Sequence, residues 1–385
     1  VLPSPVATPT ISPEQFRGEF SIFRHRRFIN SCSKGPLADA VREAFNEYLE
    51  DWGREGSDWE RWGAWVEEAR QSFAGLIGAR PQEIGLTFGA SGGINSIASA
   101  LDFAAPRNRV VLGDLEFPTM GHIWMAQQAR GAALVRVNLH DAASDPARPY
   151  LEALDERTLI VALAHVSYRT GARLPVEEVV ASAHRVGALV MLDAYQTLGT
   201  EPMDVHALGI DVLVTGCLKY LLGPPGIGFV YVREELIERW KPTVTGWHAQ
   251  APAAMLDVDR LDYAPDARRF QMGTEAAHSL HAAVAGVQRL EAVGLPTIGR
   301  WIQRLTAATV TGARERGLRV LTPDDPARRG ALVSIGAADP AAAVAGLAAR
   351  GVVTSWRGEG VRLSYHYFNT LDDVTAALDA LAECA

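Results

Sequence analysis

The chain has 385 residues, 48% of them apolar and 21% charged, a formal net charge of −8 at pH 7, and three cysteines. This is a globular composition, long enough for one large domain and a smaller one. The acidic balance argues against nucleic acid as a partner, three cysteines make no disulfide framework and fit a reducing cytoplasm, and no run of 18 apolar residues offers a membrane span.

The first dozen residues are Pro-rich and read as extended, and they lack the charged and apolar regions of a secretory signal. A cytoplasmic location is therefore expected. Helical spacing follows over Pro36–Glu50 and Asp58–Ile77, with Trp59, Trp62 and Trp65 three apart. Such a stripe reads as core or subunit interface. From residue 84 the pattern turns to short apolar runs: Ile84–Phe88, Arg109–Leu112, Ala133–Asn138, Thr158–Ala164, Ala188–Leu192, Asp211–Thr215 and Gly226–Val232. Helical windows such as Glu177–Val186 separate several of them, which predicts an α/β fold with a seven-stranded, mainly parallel sheet covered on both faces. Only a Gly/Pro-rich stretch precedes the last run, so that strand is expected to return antiparallel.

After about residue 250 the texture changes. Thr274–Ala292 reads as a long helix, and Ala331–Ile335, Pro340–Arg350, Val361–Ser364 and Leu371–Glu383 alternate strand and helix. The expected organisation is an N-terminal segment (1–25), a large domain (26–275) and a small α+β domain (276–385).

Only three lysines occur, Lys34, Lys219 and Lys241. Lys219 directly follows the run Asp211–Thr215, and Asp193 ends the run Ala188–Leu192. In parallel sheets ligands gather at the carboxyl ends of strands. A lysine and an aspartate at two such ends are what a pyridoxal phosphate enzyme needs: an amine for the aldehyde and a carboxylate for the pyridine nitrogen. An apolar-flanked lysine has its ammonium form disfavoured, which frees the amine. A loop lysine and a helix-capping aspartate are the plain alternatives.

Gly89-Ala-Ser91-Gly-Gly93 leaves one strand and opens a helix, as an anion site would, with the Ser91 hydroxyl as a donor. It is neither a Walker loop nor a dinucleotide turn, and a simple cap is the other reading. Thr215 offers a further hydroxyl, Gln196 an amide for the cofactor's phenolic oxygen, and Phe117 a ring to stack on it. Arg362 has the guanidinium fork to hold a carboxylate, or to make a surface ion pair. Cys32 is read as a small core filler rather than a nucleophile.

Together these segments resemble the aminotransferase class V family of fold-type I pyridoxal phosphate enzymes, which includes kynureninases, cysteine desulfurases and isopenicillin N epimerase-like proteins. The resemblance rests on His165-Val-Ser-Tyr-Arg-Thr-Gly171, Asp193-Ala-Tyr-Gln196 and Lys219-Tyr-Leu-Leu-Gly-Pro-Pro-Gly-Ile-Gly228. Gly273-Thr274 and Arg362–Asn369 support it. It implies Lys219 as the cofactor-binding lysine, Asp193 as the pyridinium partner, Gln196 and Phe117 against the ring, and Ala90, Ser91 and Thr215 around the phosphate. Trp247 resembles a tryptophan near the phosphate. Thr274 is implied to reach the phosphate of a neighbouring subunit, hence a homodimer with shared sites. Arg362, with Asn30, Ser167 and Tyr168, is implied on the side of an amino-acid substrate.

Two departures narrow the chemistry. Where desulfurases carry a histidine over the ring and another before the lysine, this chain has Phe117 and Leu218. No cysteine lies between Cys217 and Cys384, so the loop Thr354–Gly360 has no thiol to take sulfur. The expected activity is a side-chain-cleaving lyase of C–S or C–C type, without a persulfide cysteine. An aminotransferase or amino-acid epimerase is the alternative, and a non-catalytic binding protein on this fold is the alternative of another class.

Overall fold

The computed structural model describes residues 11–56, 58–139 and 145–384; most of the proline-rich start lies outside them. A strand β1 (Arg27–Phe28) precedes the strands of a seven-stranded sheet. These are β2 (Ile84–Thr87), β3 (Arg109–Gly113), β4 (Ala133–Val137), β5 (Thr158–Ala164), β6 (Leu189–Asp193), β7 (Val212–Gly216) and β8 (Gly228–Val232). Their order across the sheet is β2-β8-β7-β6-β5-β3-β4. β3 to β7 pair in parallel, and β8 runs antiparallel to both β2 and β7. The expected reversal of the last run is thus present.

The central runs are apolar at every position because both faces are covered. Val161, Leu163, Val190, Leu192 and Leu213 point into one core, shared with the helices Trp59–Ile77, Val176–Arg185 and Ala277–Val293. Their neighbours Ile160, Ala162, Met191, Val212 and Val214 point into the other, beneath the helices Ala90–Ala100 and Pro118–Ala126. Period-2 geometry sends alternate residues to opposite faces, so each strand feeds both cores. Burying one such aliphatic side chain contributes about 1.5–3 kcal/mol, and a charge at Leu192 or Val190 would remove that and strand an ion in the core. Phe73 of the helix Trp59–Ile77 stacks on Phe229 of β8, 3.9 Å between centroids, fixing that helix against the sheet.

β9 (Arg319–Val320), β10 (Leu332–Gly336), β12 (Ser355–Arg357) and β13 (Gly360–Ser364) form a four-stranded antiparallel sheet with order β12-β13-β10-β9, and β11 (Val352–Val353) pairs in parallel with β1. β1 and β11 thus form a two-stranded sheet of their own that joins the early chain to the C-terminal region, and the wholly buried Asp373 pairs with Arg17 and Arg27 beside it. The helix Leu295–Glu315, which the sequence reading left unassigned, follows Gly294 without a break and carries Pro296 in its first turn. The helix Ala277–Val293 packs on Asp39–Glu55 and Trp59–Ile77, so its contacts are with the large sheet's core. Among the described residues, no helix is long and apolar enough to cross a membrane.

Candidate active site

β6 and β7 end side by side, and the candidate groups Asp193 and Lys219 stand at and just beyond their carboxyl ends. Asp193 is the last residue of β6, in register with Ala164 of β5 and Val214 of β7. Its Oδ1 accepts the Tyr195 N–H at 2.9 Å. Burial raises this carboxyl above the ordinary aspartate range, while that N–H and Lys219 pull it back down.

Lys219 follows β7 in a tight turn that includes Leu222 at φ 60°. A segment from the chain's start seats this turn. The Gly35 N–H donates to the Leu218 carbonyl at 2.7 Å, and a Cβ on Gly35 would lie 2.4 Å from the Lys219 carbonyl oxygen. Only glycine allows that approach. Lys219 Nζ sits 4.0 Å from the Tyr195 ring centroid and 5.7 Å from that of Phe117. Its pKa is pushed down to about 8, chiefly by burial, against the opposing pull of Asp193. Tyr195 can lie there because position 216 is glycine: a Cβ would meet its ring at 2.5 Å.

One cavity of about 450 Å³ joins these groups. Gln196 lines it, buried; its Nε2 donates to the Cys32 carbonyl at 3.0 Å and its Oε1 has no partner. Gly89, Ala90, Ser91 and Gly92 form the end of the cavity at the start of the helix Ala90–Ala100. Gly89 stands at φ 143°, and Ser91 Oγ lies 2.9 Å from Thr119 Oγ1. First-turn N–H groups and the two hydroxyls are the kinds of donors that could hold an anion at this end. Phe117 lies half-exposed at the mouth, edge-on to Tyr168 at 5.1 Å.

Arg362, on β13, closes the opposite side while only 1% exposed. It donates from Nη1 to the Tyr168 carbonyl at 2.8 Å, and from Nη2 to Ser33 Oγ and Ser355 Oγ, each at 2.7 Å. Ser355 Oγ in turn donates to Asn30 Oδ1 at 2.7 Å. Asn30 therefore stands behind Arg362, fixing the serine that orients the guanidinium.

Not every candidate reaches this cavity. The Thr215 side chain is wholly buried, and its hydroxyl donates to the Gly216 carbonyl at 3.3 Å. Ser167 accepts the N–H groups of Arg169 and Thr170 and lines a neighbouring cavity instead. Thr274 lies at a separate cavity beside Trp59 and Trp62, and Trp247 meets Trp59 edge-on at 6.1 Å between centroids. The sequence reading also missed Glu116. This buried carboxyl accepts the Tyr150 hydroxyl at 3.0 Å and the Ala164 N–H at 2.8 Å. Burial, and then Asp193, push its pKa up to about 8. Its position one residue before Phe117 was the only available signal.

The family described as aminotransferase class-V matches residues 34–376. The chain is 33% identical over 371 residues to the uncharacterized aminotransferase YcbU of Bacillus subtilis (strain 168), covering 96% of this chain and 97% of that protein. It is 27% identical to kynureninase of Pseudomonas fluorescens, over 92% and 87% of the two chains. Among solved structures, the cystine C–S lyase C-DES in complex with cysteine persulfide superposes with a TM-score of 0.87 at 22% identity, over 96% and 100% of the chains; that likeness concerns the fold.

Proposed function

The chain belongs to the aminotransferase class-V family of pyridoxal-phosphate-dependent enzymes, and from that premise we propose that it is a lyase that cleaves the side chain of an amino acid at a C–S or C–C bond. The residues around Lys219 suit the cofactor. An amine with a lowered pKa can hold its aldehyde, Asp193 can pair its ring nitrogen, and the orphaned Gln196 Oε1 is a buried polar atom in want of a partner. The helix start at Gly89–Ser91 offers N–H groups to its phosphate. When bound, the cofactor supplies an electron sink for a carbanion at the substrate Cα.

The chain's own residues do the rest. Arg362 fixes the α-carboxylate; its fork is aligned beforehand by Tyr168, Ser33 and Ser355, so little ordering is left for binding. Lys219 takes the Cα proton; with its pKa lowered to about 8, roughly a tenth of the amine is neutral at pH 7, far more than an ordinary lysine offers. Phe117 covers the mouth and limits water there. The observation that carries the reading is this pairing, around one cavity, of a depressed lysine with an oriented arginine. The segment Thr354–Gly360 presents Arg357 to the cavity and has no thiol, which disfavours a persulfide-forming desulfurase, and the likeness to kynureninase supports side-chain cleavage.

The test is product analysis with S-substituted cysteines and L-kynurenine. Pyruvate or alanine formed over many turnovers supports the lyase. Stoichiometric pyridoxamine phosphate without cleaved product overturns it in favour of an aminotransferase, the reading that the name of the Bacillus subtilis relative favours.

We also infer a homodimer in which Thr274 and Trp247 serve the partner's site, because both lie away from the Lys219 cavity, next to exposed Trp59. Sedimentation of a single monomeric species at micromolar concentration would refute it.

A further inference from the structure

Two aromatic rings flank the Lys219 amine. Nζ lies 4.0 Å from the centroid of the Tyr195 ring and 5.7 Å from that of Phe117. At the shorter distance the nitrogen sits over the face of the ring, because an approach in the ring plane would collide with its edge atoms. We propose that Tyr195 is a positioning residue for Lys219: its ring face is the seat that holds the lysine as an ammonium once it has taken the Cα proton of the substrate. The inference rests on Lys219 acting as the proton acceptor, as proposed above.

A buried ammonium has lost its hydration and needs compensation from the protein. Burial opposes the charged form of Lys219 most; Asp193 and Cys32 favour it, while Arg362 and Arg357 oppose it. With Asp193 committed to the ring nitrogen of the cofactor as proposed, the Tyr195 face adds to the side that favours the charge. An aromatic face carries the negative lobe of the ring's quadrupole, and its pull on a cation is strongest where water is excluded. The contact also separates the two states of the lysine in the sense the reaction needs. The neutral amine gains little from the face and stays free to react, whereas the ammonium is held. In the step itself the Cα–H bond breaks, the proton goes to Nζ, and the electron pair stays with the substrate carbon.

The fold fixes the ring where this contact requires it. The Tyr195 N–H donates to Asp193 Oδ1 at 2.9 Å, which ties the residue to the end of β6. Gly216 ends β7, three positions before Lys219, and a Cβ there would lie 2.5 Å from both the Cζ and the hydroxyl oxygen of Tyr195. The missing Cβ is therefore the space the ring fills. Burial raises the Tyr195 phenol above its ordinary value, so the lysine meets an uncharged face and not a phenolate. Phe117 is the weaker partner: it is 43% exposed, and its distance approaches the limit of about 6 Å for such a contact.

The test reads the lysine directly. Competitive labelling of the full-length apoprotein with acetic anhydride across pH, followed peptide by peptide, gives the titration midpoint of Lys219, and the exposed Lys34 and Lys241 serve as references in the same sample. Tyr195→Leu should lower the midpoint by about half to one and a half pH units, the size of a desolvated contact between a cation and a ring face. A ring-fluorinated phenylalanine at the same position keeps the shape but weakens the face, so it should lower the midpoint too and guards against a leucine variant that folds badly. Tyr195→Phe, which keeps the face, should rescue it. In the holoenzyme, exchange of the α-hydrogen of L-alanine, L-cysteine or L-kynurenine with heavy water should slow about three- to tenfold or more in Tyr195→Leu with little change in KM, and recover in Tyr195→Phe. A midpoint indifferent to leucine and to fluorination overturns the inference while the proposed function stands. Exchange that slows equally in Tyr195→Phe and Tyr195→Leu assigns the effect to the hydroxyl and overturns it as well. If the wild type exchanges none of the three amino acids, Lys219 moves no Cα proton, and the underlying reading fails together with this one.

Discussion

Replacing Lys219 with methionine should make the cofactor-free protein more stable, and the gain should vanish at high pH. The ordinary lysine pKa of 10.5 falls to about 8 in the fold, mainly through burial. That difference corresponds to a cost of about 3 kcal/mol for carrying the ammonium at neutral pH. The sign follows from the direction: because the folded pKa lies below the unfolded one, the cost is full below about pH 8, fades between 8 and 10.5, and is absent above. Two effects reduce it. The cavity wets one side of the amine, and Asp193 loses a cation that lowers its own pKa, then escapes by protonation. We therefore expect Lys219→Met to gain about 1–3 kcal/mol at pH 7 and to match the wild type near pH 10.5. Urea midpoints of both apoproteins at the two pH values, converted through their slopes, measure it. A variant less stable at pH 7, or a gap indifferent to pH, would refute the buried-amine argument and with it the basis for calling Lys219 the proton acceptor.

Other predictions follow from single contacts. Arg362→Lys keeps the charge but loses the fork, so KM for the amino acid should rise about ten- to a hundredfold with a smaller change in kcat; an unchanged KM would place the α-carboxylate elsewhere. Gly228→Ala would set a Cβ 2.4 Å from the Thr215 carbonyl oxygen and 2.6 Å from Gly89 Cα, both backbone. It should cost about 1–3 kcal/mol and loosen the cofactor at its Gly89 end, read by melting temperature and equilibrium dialysis. His366 must stay neutral, since Nδ1 accepts the Tyr367 N–H at 2.7 Å while Nε2 faces the Tyr220 carbonyl at 3.0 Å. Burial lowers its pKa from 6.5 to about 4, so stability present above pH 6.5 should decline by up to about 3 kcal/mol as pH falls toward 4. His366→Gln should show a shallower decline in the same urea titration.

What the sequence reveals about this site follows strand geometry closely. The seven sheet strands are legible because each is a short apolar run bounded by Gly, Pro or polar residues, and the ends of β6 and β7 fall where Asp193 and Lys219 stand. Side-chain direction is another matter. β7 is buried on both faces, so no polar alternation marks which way Thr215 points, and its hydroxyl turns to the Gly216 carbonyl instead of the cavity. The same parity divides the motif His165–Gly171. The turn ending at Gly171, φ +73°, sends Tyr168 to one cavity and Ser167 with Arg169 to the other, although all three belong to one contiguous motif. Long-range seating is equally invisible in one dimension. Nothing near Lys219 announces that Gly35 packs on its carbonyl from 184 positions away, or that Asn30 and Ser33 orient Arg362 from the other end of the chain. Motifs therefore identify the groups that can react, whereas the partition of space around them depends on strand parity and on contacts between distant segments.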